Sequence, residues 1–236
     1  YGGVLLLLMS ILAFQSPFAP LAKPDPAPVV WPPQDGFGLN PVLENPWMKI
    51  HPPIIFAGFA ALTVPFAYAI AALWRNEYNE FAVRVRPWAI YSATMLGFGL
   101  ALGGYWAYET LGWGGFWAWD PVENSSYFPW LFMAAGLHGV MLQINRGRMV
   151  RWNPLLLALP FLLFMYGTFL TRSGALAEVS VHSFVNMESN ALKILIGMLG
   201  GGWLLTLGLW IFRYRQMPLP ARDRTKGFSR EAAVRW

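Results

Sequence analysis

Six apolar stretches decide what this chain can fold into. Residues near 2–16, 53–74, 88–108, 127–145, 153–171 and 191–212 each approach the roughly 20 helical residues that a hydrocarbon core of about 30 Å demands. Their apolar residues come in blocks, not as an alternating pattern or a 3.6-residue stripe, so length converts into membrane spans and not into soluble domains. Composition agrees, because 56% of residues are hydrophobic and 12% charged, far from the balance of a soluble domain. The expected fold is all-α: a polytopic membrane helical bundle of about six transmembrane helices, one domain over 1–236. The chain contains no Cys, so any thiol or disulfide chemistry must belong to a partner. It starts at Tyr1 with no initiator Met, basic n-region or cleavage site, and its basic C-terminal stretch halts after Trp236, so it reads as a fragment of a longer protein.

Positive charge sets the expected orientation. The loops 75–87 and 146–151 and the tail after 212 carry 13 of the 17 Lys and Arg, against four (Lys23, Lys49, Arg172 and Lys193) in or beside 17–52, 109–126 and 172–190. Cytoplasmic loops retain positive charge, which puts the latter three loops outside, in the periplasm if the cell is Gram-negative. The net charge of +5 is thereby a topology signal. No nucleic acid partner is expected, since nothing resembles a reader motif, and membrane lipid is the surrounding partner.

The middle outer loop is unusual. Residues 111–130 read "LGWGGFWAWDPVENSSYFPW", four Trp with a glycine pair and two carboxylates. Trp113, Phe116, Trp117 and Asp120 recur at helical spacing, so one short interfacial turn would show three aromatic faces on one side, with Trp119 beside them. Such a shelf suits a flat, apolar, anionic ligand; an aromatic belt at the membrane interface is the alternative. Asp120 can cap a helix beginning at Pro121, with Glu123 completing a capping box. Gly114 and Gly115 leave room for close approach of backbone or ligand.

The three histidines add metal-binding chemistry. His51 precedes Pro52 and Pro53 near the cap of the second span, and His182 lies in the third outer loop, so both share a membrane face with the Trp-rich loop. His138 follows Tyr127 by eleven residues and precedes Arg146 by eight, roughly 12 to 17 Å from either end of its helix. An ionisable group at that depth is expected to face the bundle interior. Imidazole is an axial ligand of haem iron, and Arg172 at the end of the fifth span suits a propionate, or else anchors that span at the interface.

"WGGFWAWDPVENSSYFPW" resembles the tryptophan-rich signature of the WWD-domain haem-handling proteins. With "IHPP", "GTFLTRSG" and "VHSF", the continuation "WDPVEN" resembles the CcmF-type subunits of cytochrome c haem lyases over nearly the whole chain. The resemblance implies cytochrome c biogenesis by haem lyase (holocytochrome c synthase) activity within a multi-subunit complex, joining haem by thioether bonds to a Cys-x-x-Cys-His motif. It implies that His51 and His182 ligate the incoming substrate haem b at the outer site, and that His138 holds a second, resident haem b. The implied partners are a CcmE-like haem chaperone, apocytochrome c, and CcmH/CcmI-like subunits that present it. Two departures are visible: Phe116 and Ala118 stand where further Trp or Phe are usual, and the family's second b-haem histidine has no counterpart, since this chain has no fourth His. Two other expectations stand beside this one, a haem transporter or chaperone-loading protein of the same superfamily and a b-type electron-transfer membrane cytochrome. "WDPVEN" speaks against the first, and a single deep histidine against the second.

Reporters fused after Arg86 and Arg148 should give cytoplasmic signals, and one inserted within 114–124 a periplasmic signal. A cytoplasmic signal from the Trp-rich loop would overturn the haem-lyase expectation, because apocytochrome c is matured outside.

Overall fold

The computed structural model describes residues 1–20, 23, 25–26, 31, 41–110, 115–176, 179–180 and 187–218. Among these residues the chain forms seven α-helices and no strand: α1 (Gly2–Phe14), α2 (Pro46–Ala61), α3 (Thr63–Arg75), α4 (Asn79–Glu109), α5 (Pro121–Arg146), α6 (Asn153–Arg172) and α7 (Ser189–Tyr214). Among the described residues four paths are long and apolar enough to cross a membrane: Pro46–Arg75, made of α2 and α3, and then α5, α6 and α7. α4 has 31 residues and lies between α2 and α5. Glu80, Arg84 and Arg86, and then its glycines and interfacial aromatics, dilute its apolar character. α1 is apolar but only 13 residues long, and it packs on α7.

Caps, more than hydropathy, set the helix ends. The second apolar stretch starts as a helix at Pro46 because the Asn45 side chain accepts from the Trp47 amide at 2.8 Å and Pro46 suits the first helical turn. It breaks at Leu62, because Pro65 has no N–H to offer the Ala61 carbonyl. α4 begins at Asn79, so most of the expected inner loop 75–87 is helical. α7 starts where the Glu188 carboxylate accepts from Asn190 and Ala191.

Apolar side chains gain little by leaving lipid for protein, so helices in a bilayer associate through close packing and interhelical hydrogen bonds. α2 and α4 meet along a seam where Gly58 faces Leu96 and Gly99 faces Ile55; a Cβ on Gly58 would stand 2.8 Å from the Leu96 backbone nitrogen. Phe59 stacks on Phe164 at 4.5 Å and Phe66 lies 4.6 Å from Phe161, joining α2 and α3 to α6. Leu62, Leu73, Leu96, Met133, Leu157, Leu162 and Leu195 are fully buried between these elements. A buried polar chain closes one end: Asn153 Nδ2 donates to Gln143 Oε1 at 2.7 Å, and Gln143 Nε2 donates to the Tyr78 carbonyl at 2.8 Å. At the same end Arg213 donates to the Leu73 and Trp74 carbonyls, which the end of α3 leaves without helical donors.

Gly58→Leu should lower the thermal unfolding midpoint and the membrane abundance of the protein, with about 1–3 kcal/mol of stability lost to overpacking against the α4 backbone. An unchanged midpoint would show that the α2–α4 seam is looser than this contact requires.

Candidate functional site

The ends of α2, α4 and α5 opposite the Gln143–Asn153 pair hold the sequence features singled out above. α5 opens with a complete capping box. Asp120 Oδ2 accepts from the amides of Val122 at 2.9 Å and Glu123 at 3.4 Å, while Glu123 Oε2 accepts from the amides of Asp120 at 3.3 Å and Ala118 at 3.0 Å. Asn124 Nδ2 donates to the Trp119 carbonyl at 3.1 Å. Both carboxylates thus hold the backbone of the aromatic segment, as the capping reading of the sequence required.

That segment is not the short helical turn its spacing predicts. Residues 115–120 are bend and coil, with φ +112° at Gly115 and φ +57° at Trp119. Pro121 disfavours a helical conformation at the residue before it, and the extended backbone of Asp120 (φ −56°, ψ 141°) is what an N-cap needs. The left-handed Trp119 turns its indole outward, 71% exposed. Trp113 and Gly114 lie outside the described residues.

Phe116, Trp117 and Trp119 form one wall of a groove of about 370 Å³. Gly97, Leu100 and Ala101 of α4 form its floor, and Tyr127 and Trp130 of α5 its far wall. Its rings hold one another at fixed angles: Trp117 meets Trp119 edge-on at 6.3 Å and Tyr127 at 5.7 Å, and Tyr127 stacks on Trp130 at 5.8 Å. The Trp130 indole N–H donates to the Ala93 carbonyl at 3.1 Å, fixing the far wall to α4. The volume falls within the range of small-molecule sites, and the lining is mostly apolar.

His51 stands inside α2, six residues past its cap, and not at the helix mouth, because Asn45 and Pro46 start the helix earlier and enclose Pro52 and Pro53 within it. Its ring is half-buried against α4. Nδ1 lies 2.8 Å from the Gly99 carbonyl, and the ring centroid is 6.3 Å from that of Trp106. His51 does not line the groove; it occupies the adjacent face of α4. Gly103 faces the His51 ring and Gly104 faces the Phe116 ring, so two consecutive residues of α4 receive the imidazole and the aromatic segment side by side.

The other candidates are placed differently. His138 is exposed and does not face the bundle interior. α5 turns Met133, Gly136, Val140 and Gln143 inward, on the opposite side of the helix, and His138 satisfies Nδ1 on its own Ala134 carbonyl at 2.8 Å. His182 lies outside the described residues, but its loop is joined to the aromatic segment at Ser180, whose buried hydroxyl donates to Asp120 Oδ2 at 3.0 Å. Arg172 stands exposed in the last turn of α6, at the same end of the bundle as His51. The sequence reading missed Tyr127 and Trp130 as walls and Gly103–Gly104 as the seat. The signal for the glycines was their cost: each is worth about 1 kcal/mol less than Ala in a helix, so a pair inside an apolar helical run needs a packing reason.

Residues 2–176 match the family model described as cytochrome C assembly protein. The chain is 37% identical over 206 residues to the cytochrome c-type biogenesis protein CcmF of Haemophilus influenzae, covering 86% of this chain and 31% of that protein. It is 40% identical over 228 residues to the cytochrome c-type biogenesis protein CycK of Rhizobium meliloti (95% and 31% covered) and 41% identical over 177 residues to CcmF of Escherichia coli K12 (73% and 27%). A solved structure titled cytochrome c heme lyase CcmF superposes with a TM-score of 0.60 at 36% identity, over 72% of this chain and 26% of that one. The chain thus spans about a third of the length of these relatives. Matched over most of its length by the family model and aligned with CcmF proteins through the helices that carry the aromatic segment, the chain belongs to the cytochrome c assembly protein family and is of the CcmF type.

Proposed function

We propose that this chain is the haem-holding part of a cytochrome c haem lyase in the bacterial inner membrane, with residues 115–120 on the periplasmic side. One observation carries the reading: Gly103 and Gly104 seat the His51 imidazole and the Phe116 ring side by side at the edge of an aromatic groove. A metal ligand next to a flat apolar shelf is what a haem substrate needs from its holder. The charge asymmetry supports the sidedness, since the ends of α3, α5 and α7 away from the groove carry Arg75, Arg146 and Arg213.

The reaction adds a thiol across each haem vinyl group. Sulfur bonds to the vinyl carbon next to the macrocycle and the thiol proton passes to the terminal carbon, so nothing is oxidised, reduced or expelled. The chain contains no Cys and so supplies no thiol, and the two carboxylates beside the groove, Asp120 and Glu123, are committed to backbone amides. Its contribution is proximity: His51, with His182 of the third outer loop, holds the iron, while Trp117, Trp119 and Phe116 orient the ring. Arg172 pairs with a propionate. A CcmE-like chaperone delivers the haem, and CcmH/CcmI-like subunits present the apocytochrome. His138, with Nδ1 2.8 Å from the Ala134 carbonyl and the rest of its ring on the exposed face of α5, would hold a resident haem b, which would supply one-electron redox chemistry beside the substrate site.

Full-length protein supplied with haem-loaded chaperone and a Cys-x-x-Cys-His apocytochrome should yield covalently attached haem. His51→Gly should cut the yield at least about tenfold and recover part of it with millimolar-scale imidazole, which replaces the ligand but not its positioning. Trp117→Ala should fall without recovery. Haem release with no thioether product would favour a transporter or chaperone-loading role instead. Separately, His138→Ala should abolish low-spin b-haem absorbance in the purified protein and leave membrane abundance unchanged; a retained spectrum would make His138 structural.

A further inference from the structure

We propose that Trp130 of α5, seated against Gly97 of α4, is the fixed face of the groove on which the flat substrate ring is registered, with Gly97 the positioning residue that sets it. This role rests on the reading of the groove as the haem seat and adds which wall determines where the ring lies. The two walls are built differently. Phe116, Trp117 and Trp119 stand on bend and coil, whereas Tyr127 and Trp130 stand about one turn apart on α5. A side chain on a helix, held by further contacts, keeps its place more precisely than one on a loop. Trp130 has such contacts on two sides: its indole N–H donates to the Ala93 carbonyl at 3.1 Å, and its ring stacks on Tyr127 at 5.8 Å with 29° between the planes. An indole has one donor and no acceptor, so that bond meets its whole hydrogen-bonding need and apolar surface is what it offers the groove.

Gly97 lets the indole reach that carbonyl. Side chains in a helix tilt toward its N-terminus, so one at position 97 would lean over the carbonyl four residues back, that of Ala93. A Cβ on Gly97 would stand 2.7 Å from Trp130 Nε1, 3.4 Å from Cε2 and 3.5 Å from Cδ1. All three atoms belong to the five-membered ring of the indole, so Gly97→Ala displaces the end of Trp130 that makes the bond. The obstruction is with side chain and not with backbone, in contrast to Gly99, whose Cβ would meet the Ile55 Cα at 2.8 Å, so the α2–α4 seam is spared. Tyr127, stacked on Trp130 and 5.7 Å from Trp117, then loses its fixed place between the two walls. Trp130→Phe removes the five-membered ring that Gly97→Ala would meet, and the two substitutions are coupled by that overlap.

Metal-free protoporphyrin isolates the groove from every iron ligand, because it has the ring, vinyl groups and propionates of haem but no metal. Titrated into purified full-length protein and followed by its fluorescence, it should bind Trp130→Phe and Gly97→Ala about 3- to 10-fold more weakly than wild type, the range expected for one aromatic contact. The double variant Gly97→Ala/Trp130→Phe should bind no more weakly than the weaker single variant, since the added Cβ then has no indole nitrogen to displace. With haem-loaded chaperone and apocytochrome at saturation, the thioether yield per haem bound should fall in both single variants, which a wall that only lends stability would not cause. Membrane abundance of Trp130→Phe should match wild type. Unchanged porphyrin affinity in Trp130→Phe, additive losses in the double variant, or an unchanged yield per bound haem would each overturn the fixed-wall role. Should Gly97→Ala fail to accumulate, the affinity and yield of Trp130→Phe still decide it. If Trp117→Ala and Trp130→Phe both bind porphyrin as wild type does, the groove is not the haem seat; if Trp117→Ala alone weakens binding, the groove stands and only the role of Trp130 and Gly97 falls.

Discussion

Close approach of neighbouring groups to the bare backbone of α4 is the constraint from which the rest of this structure follows. Lipid offers apolar side chains nearly as good a home as protein does, so a membrane helix is held by the quality of its contacts and not by hydrophobic transfer. α4 provides that quality with four glycines on two neighbouring faces. Gly99 and Gly103 take Ile55 and His51 from α2, while Gly97 and Gly104 take Trp130 and Phe116 from the groove. The same absence of side chains that joins α2 to α4 therefore seats the imidazole and the aromatic wall. Packing and site share one cause, and the glycines' cost to helix propensity, about 1 kcal/mol each, is offset by both.

The carboxylates of "WDPVEN" act on a different level. Asp120 and Glu123 accept from four backbone amides between them, Asn124 ties back to the Trp119 carbonyl, and Ser180 reaches Asp120 from the loop that carries His182. Together they fix the point at which an irregular aromatic segment becomes a helix. A non-glycine residue at φ +57° costs of order 1–3 kcal/mol, and it persists only where the surroundings over-determine it. Here the surroundings do so, and the result is a large indole held 71% exposed beside a groove. A merely interfacial tryptophan would need none of this, since a flexible turn would let it reach the headgroups unaided.

Much of this was legible in the sequence because it depends on local chemistry. The apolar blocks gave the helices, and the Asp-Pro-x-Glu spacing gave the capping box in full. The failures are equally physical. Helical spacing over 113–120 suggested a turn, but Pro121 and the N-cap role of Asp120 impose extended backbone immediately before the helix, and local cap chemistry overrides periodicity. His51 read as a cap neighbour because two prolines follow it; the stronger signal was Asn45-Pro46, which starts the helix earlier. Depth along the chain predicted that His138 faces inward, yet depth fixes only the position along the axis. Its azimuth is set by the positions that α5 buries, of which Met133 and Val140 are the clearest, and that information is tertiary. The seat at Gly103–Gly104 is likewise a relation between three elements, which one-dimensional reading leaves as two small residues in an apolar run.

The two described histidines make the same kind of contact by routes with different consequences. Each lies 2.8 Å from a backbone carbonyl through Nδ1. His138 takes its carbonyl from Ala134, four residues back on the same helix, and that contact survives any rearrangement that leaves α5 intact. His51 takes its carbonyl from Gly99 on another helix, so that contact exists only while α2 and α4 are packed together. The orientation of the His51 ring thus depends on the glycine contacts that pack α2 on α4, whereas the His138 contact is made within α5 alone.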